Sequence, residues 1–284
     1  MTSQNRAPGA AGLATITTYT LMSVIGAVAF LYPFWQPVIA PNSANTGHAQ
    51  DAPLMTALLI SLCLIALALD AQRHGLTTKT IALLGVLVAL NSVLRFIEVS
   101  IPGPAGFTPI FFLIILCGYV FGARFGFLMG VLSLLVSALI TGGVGPWLPY
   151  QMFTAGWMGL SAGWLGALLP ASVGPGPRHW LLIAFGALWG FLYGLIINVW
   201  FWPFAGGAAQ QSWQPGQGLM ATLQHYAVFY IATSLVWDAF GALGNAALIA
   251  FFGRPTLRTL LRFRQRFTYV HTPGAFPDIP PETA

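Results

Sequence analysis

Chemistry in this chain would have to come from very few groups. Its five histidines, His48, His74, His179, His225 and His271, include no two at the spacing of a metal-binding pair. No H-E-x-x-H, G-x-S-x-G or P-loop spacing occurs, so no metal site, cofactor or nucleotide pocket is expected. Asp238, in "SLVWDAFGALGN", is the one acid deep within an apolar stretch. A carboxylate there costs several kcal/mol unless it is paired, protonated or hydrated. Either it ties helices together through hydrogen bonds, or it lines a water-filled cavity. Asn198 and Asn245 carry weaker versions of the same signal. Arg95 stands three residues before Glu98, on the same helical side, and the two can pair. Arg95 either serves a site or reaches out to lipid headgroups.

The elements that must hold these groups are helices in a membrane. The 284 residues are 57% hydrophobic and 6% charged, against about 25% charged in a soluble domain. Apolar runs recur that are long enough to cross a bilayer core of about 30 Å. The expected fold is an all-α integral membrane protein with eight spans, at about 13–35, 53–69, 80–97, 107–121, 125–141, 150–169, 180–202 and 223–252. The fourth, "FTPIFFLIILCGYVFG", is barely long enough to cross, and the last is long enough to tilt or to pass the interface. With the N-terminus in the cytoplasm, ten of the 11 basic residues lie inside and the outer loops hold no Lys or Arg. The C-terminus then lies inside as well. Arg95 is the exception. Cys63 and Cys117 fall within apolar runs and imply no disulfide, and no cleavable signal is evident.

This orientation makes "GGVGPWLPYQ", residues 142–151, an outer loop entering the sixth span. Trp35, Trp147, Trp200, Trp202 and Trp213 gather near the same face. Shaped loops that carry aromatic faces and amides suit a small-molecule pocket. An interfacial aromatic belt with ordinary turns is the other reading. In "TIALLGVLVALNSVLRF", Ala82, Gly85 and Ala89 share one helix face and permit close approach by another helix, of this chain or of a partner. Gly118, Gly122, Gly126 and Gly130 read as tight internal packing. Arg254, Arg258, Arg262 and Arg266 repeat every four residues, as on a juxtamembrane helix resting on anionic lipid. The Pro-rich tail beyond is expected to be disordered.

Residues 80–266 resemble the substrate-binding (S) component of energy-coupling factor (ECF) transporters. The specific part is the succession of the P-x-F-F-L stretch, the G-Y-V-F-G-A-R-F-G-F turn and the G-P-W-x-P-Y-Q-M loop. The resemblance implies a six-helix core in a bacterial inner membrane, capturing a vitamin or related micronutrient from outside; a corrinoid is one candidate. It implies a transmembrane coupling (T) component and two ATPase subunits as partners, with the S component toppling in the membrane as ATP is turned over. By motif position Ala82, Gly85 and Ala89 would meet the T component. Arg95, Trp147, Tyr150, Gln151, Asn198 and Asp238 would bind substrate. The resulting organisation is a cytoplasmic N-terminus (1–12), an added hairpin (13–79), the six-helix core (80–253), a basic juxtamembrane helix (254–271) and a tail (272–284). An intramembrane enzyme acting on a lipid-like substrate through Asp238 lacks a second catalytic group. A secondary transporter carrying a proton on Asp238 lacks an inverted repeat.

Overall fold

The computed structural model describes residues 10–34, 52–72, 78–100, 107–205 and 207–267. The N-terminal residues before Ala10, Trp35 and the loop after it, part of the loop after Ser100, and the C-terminal tail lie outside them. Backbone polar groups in lipid have no water to bond, so apolar runs close their hydrogen bonds within helices. Nine α-helices result among the described residues, with no strand. They are α1 (Ala10–Leu31), α2 (Ala52–Gln72), α3 (Thr78–Ser100), α4 (Ile110–Phe121), α5 (Ala123–Thr141), α6 (Leu148–Leu168), α7 (Pro175–Phe201), α8 (Leu219–Thr233) and α9 (Leu235–Phe267). Among the described residues, five helices are long and apolar enough to cross a membrane.

The shortness of α4 shapes everything above it. Its 12 residues span about 18 Å, well short of a bilayer core of about 30 Å. It is tolerated because α3, α5, α6, α7 and α9 surround it and Ile114 to Cys117 are fully buried. A helix enclosed by protein need not reach both interfaces. The space left beyond its Pro109 end is where a cavity opens.

Two left-handed glycines set the turns of this core. Gly122, at φ 96°, carries the chain from α4 into α5, and Gly142, at φ 69°, ends α5 with its N–H on the Ala138 carbonyl. A Cβ is disfavoured at such angles. Gly122 is therefore a turn residue with open space beside it, unlike Gly118, Gly126 and Gly130, which are packed. A Cβ on Gly126 would overlap the Gly159 carbonyl, and one on Gly159 would overlap that of Gly126. Gly118 faces the same Gly159 carbonyl, and Gly130 faces that of Ala155. The backbones of α5 and α6 run antiparallel at a separation only glycine permits.

A second glycine ridge joins α7 to α9. Gly186 faces Ile249, Gly190 faces Ala242 and Gly194 faces Asp238. The sequence reading of one span over 223–252 is corrected here: the chain kinks at Ser234 and divides into α8 and α9. Hydrogen bonding nearly continues across the kink, from the Ser234 N–H to Tyr230 and from the Asp238 N–H to Ser234, both 2.9 Å. The 33 residues of α9 reach about 50 Å. The basic segment is thus the far half of α9, not a separate helix.

Buried polar groups pin α3 to this frame. Asn91 is fully buried and its Nδ2 donates to Ser133 Oγ on α5 (3.0 Å) and to the Ile110 carbonyl (3.2 Å). The opposite face of α3 carries Ala82, Gly85 and Ala89, all exposed, with nothing within 4 Å of a Cβ placed on Gly85. The N-terminal hairpin does not cover that stripe. Its α1 lies on α6 and α7, where Phe30 meets Tyr150 and Trp157 at 5.0 and 5.5 Å between ring centres.

Candidate functional site

A cavity of about 320 Å³ opens above the N-terminal end of α4, between α3, α6, α7 and the kink of α8–α9. Arg95, Gln151, Asn198 and Asp238, widely separated in the chain, all line it. Trp147 and Tyr150 do not. Trp147 is exposed, its indole N–H donating to the Gly143 carbonyl at 3.1 Å and its ring lying over Gly145. Tyr150 is buried, stacked on Trp200 at 4.9 Å with planes 6° apart. The 142–151 stretch therefore contributes Gln151 to the cavity wall, while Tyr150 packs the scaffold and Trp147 lies exposed on its own loop.

The two ends of the cavity differ in chemistry. At one end Arg95 forms an ion pair with Glu98, and Thr108 Oγ1 donates to Glu98 Oε2 at 2.6 Å. Arg95 is held in this partly buried network, with its side chain 30% exposed. The i,i+3 spacing made the pair legible; Thr108, arriving from the α3–α4 connection, was not. At the other end Asp238 stands in the first turn of α9, where the helix dipole favours a negative charge. Its carboxylate lies directly over Gly194, in space that any Cβ there would occupy. The buried Oδ2 has no hydrogen-bond partner among the described residues, and the nearby Tyr230 hydroxyl donates instead to the Phe191 carbonyl at 3.5 Å. Beside it Asn198 Nδ2 donates to Ser234 Oγ at 2.7 Å and braces the kink.

Between the two ends the wall is aromatic. Phe111 and Tyr193 lie 4.4 Å apart between ring centres, and Phe107 and Trp237 also border the space. Sequence reasoning missed these four because, in an apolar chain rich in aromatics, only tertiary structure separates a pocket wall from a lipid-facing ring. Asn245, also flagged in the sequence, lies elsewhere: it is buried and donates to the Gly186 carbonyl at 3.3 Å.

A family model described as "ECF transporter, substrate-specific component" matches residues 79–251, more than half of the chain. The chain belongs to this family. The matched region of this S component runs from the start of α3 into α9, so the α1–α2 hairpin precedes it. No curated protein and no solved structure gives a match. An S component is a multi-pass membrane subunit of a transporter and not an enzyme. Membership implies a small-molecule substrate, and T-component and ATPase partners.

Larger than this cavity is one of about 740 Å³ at the opposite, basic end of the bundle. It gathers none of the six residues expected to bind substrate, and the smaller cavity gathers four.

Proposed function

We propose that this S component captures a vitamin-sized micronutrient from outside a bacterial cell and delivers it to an ATP-driven ECF importer. The observation that carries the proposal is the convergence of Arg95, Gln151, Asn198 and Asp238 on one cavity above the short α4. Its volume of about 320 Å³ falls at the small end of ligand pockets, which run roughly 300–1,000 Å³. A corrinoid is far larger, so the cavity supports a smaller vitamin. The charged lining residues are Arg95, Glu98 and Asp238. With Arg95 and Glu98 already paired, Asp238 is left to receive a donor or cationic nitrogen of the ligand. The aromatic wall would hold a flat or apolar body and could add a cation–π contribution. Termini in the cytoplasm follow from the charge asymmetry: Lys79, Arg124 and Arg178 begin α3, α5 and α7, the end opposite Arg95.

Mass spectrometry of small molecules released from the purified protein tests this reading. One nitrogenous ligand of vitamin size per chain is expected. A purified chain that retains no ligand and binds none from a vitamin panel would overturn it. Gln151→Ala should weaken binding about fivefold, the worth of one hydrogen bond. Trp147→Ala should stay within about twofold, because its ring lies outside the cavity; equilibrium titration of both variants compares them.

For the coupling step, the exposed Ala82–Gly85–Ala89 stripe supports α3 as the T-component contact, since it lets another helix approach closely. Gly85→Leu should leave folding and ligand affinity intact but reduce co-purification of the T component by about tenfold or more. Undiminished recovery of the T component would remove the stripe from that interface.

A further inference from the structure

The cavity at the basic end has the construction of a binding site in its own right. It lies among the end of α4, the α6–α7 turn, the start of α7 and the far half of α9. Arg178, Arg254, Arg258 and Arg264 line it together with His179, and no carboxylate among the described residues does. Two of these guanidinium groups are committed to the fold. Arg178 donates to the carbonyls of Val173 and Pro170, both at 2.8 Å, and Arg264 donates to that of Val120 at 3.0 Å. Arg254 and Arg258, one turn apart on α9, have no acceptor among the described residues. Leu182, Leu257 and Leu261 supply an apolar strip beside them.

His179 adds an independent observation. It is 94% buried, being 6% exposed, yet its Nδ1 has no hydrogen-bond partner among the described residues. Its Nε2 lies 3.3 Å from the Ala250 carbonyl, which can only accept, so Nε2 carries a proton. The ring borders the cavity with its Nδ1 buried and unpartnered.

We infer that this cavity holds one anionic glycerophospholipid. Its phosphate sits on Arg254 and Arg258, and an acyl chain lies along the leucines. Charge complementarity favours this occupant, since four cationic side chains enclose the cavity with no acid among the described residues to balance them. The apolar strip favours a lipid over a free anion. The four-residue arginine stripe read from sequence is divided by the same geometry. Arg254 and Arg258 line the cavity, while Arg262, about 80° further round the helix than Arg254, does not.

Native mass spectrometry of the full chain in detergent, titrated with phosphatidylglycerol or phosphatidylcholine, tests the site. One phosphatidylglycerol per chain should bind at least about tenfold more tightly than phosphatidylcholine. The Arg254→Gln/Arg258→Gln double variant should lose about tenfold or more of that affinity, and Arg262→Gln almost none. Leu261→Asp, which places a carboxylate in the cavity, should match the double variant; thermal unfolding curves check that each variant is folded. Equal binding of the two lipids, or equal losses in Arg262→Gln and the double variant, overturns the proposal. Displacement of the lipid by inorganic phosphate at matched concentration assigns the cavity to a free anion, and displacement by purified ATPase subunits assigns it to a protein. Either result also overturns it.

Discussion

Gly159→Leu is expected to yield no folded, monodisperse protein. A Cβ at this position would overlap the backbone of Gly126, and the α5–α6 backbones approach as closely again at Gly130 and Ala155. A flexible side chain can rotate out of the way of an added group, but a carbonyl fixed in a helix cannot. The two helices must therefore separate along their length. In lipid, where tight packing rather than exclusion of water holds helices together, that separation removes the contact that joins them. The cost should exceed about 4 kcal/mol, the range reserved for severe core defects. Gly159→Ala already adds the Cβ that overlaps the Gly126 carbonyl, so it is expected to unfold at clearly lower temperature, with a loss of about 3 kcal/mol or more. Size-exclusion profiles and thermal unfolding in detergent read both. A monodisperse Gly159→Leu protein with native melting behaviour would show that α5 and α6 do not meet through this glycine. Gly85→Leu is the internal control, because it adds the same side chain on a helix face with no neighbour.

Asp238→Asn has the second large effect, on binding rather than on folding. The substitution keeps size and shape and removes the charge beside Gly194. A hydrogen bond to a charged group contributes about 1.5–3 kcal/mol, so ligand affinity should fall by roughly 10- to 150-fold. Thermal stability should change little, because the amide fills the same space over Gly194 and the Oδ2 it replaces has no hydrogen-bond partner to lose among the described residues. If Asp238 served only to hold α7 and α9 together, the two readouts would reverse: the melting temperature would drop and affinity would persist. Gly194→Ala approaches the same group from the other side. Its methyl would occupy the carboxylate's place and displace it, so binding should weaken although Asp238 remains.

Much of the architecture was legible in residue types. Apolar runs of bilayer length specify helices because the hydrocarbon core leaves backbone groups no other partner. Lys79, Arg124 and Arg178 fall in the first turn of α3, α5 and α7, an alternation the sequence already displays. The Arg95–Glu98 pair followed from helical spacing, since that contact is local. So did the composition of the α3 stripe, though not whether it faces inward or outward.

What tertiary structure decided concerns contacts between distant segments. Residue type marked Asn198 and Asp238 as costly in a membrane, but nothing local said that they would share a cavity with Arg95 and Gln151. Nor could it separate Gln151 from Trp147 and Tyr150, four residues apart at most, because that depends on which way each side chain leaves the start of α6. The kink at Ser234 was hidden for a similar reason. No Pro or Gly marks it, and its brace is Asn198, 36 residues earlier in the chain. Composition and periodicity act over short stretches of chain and set which segments become apolar helices. A pocket is made where helices meet, and its walls are chosen by packing over the whole bundle.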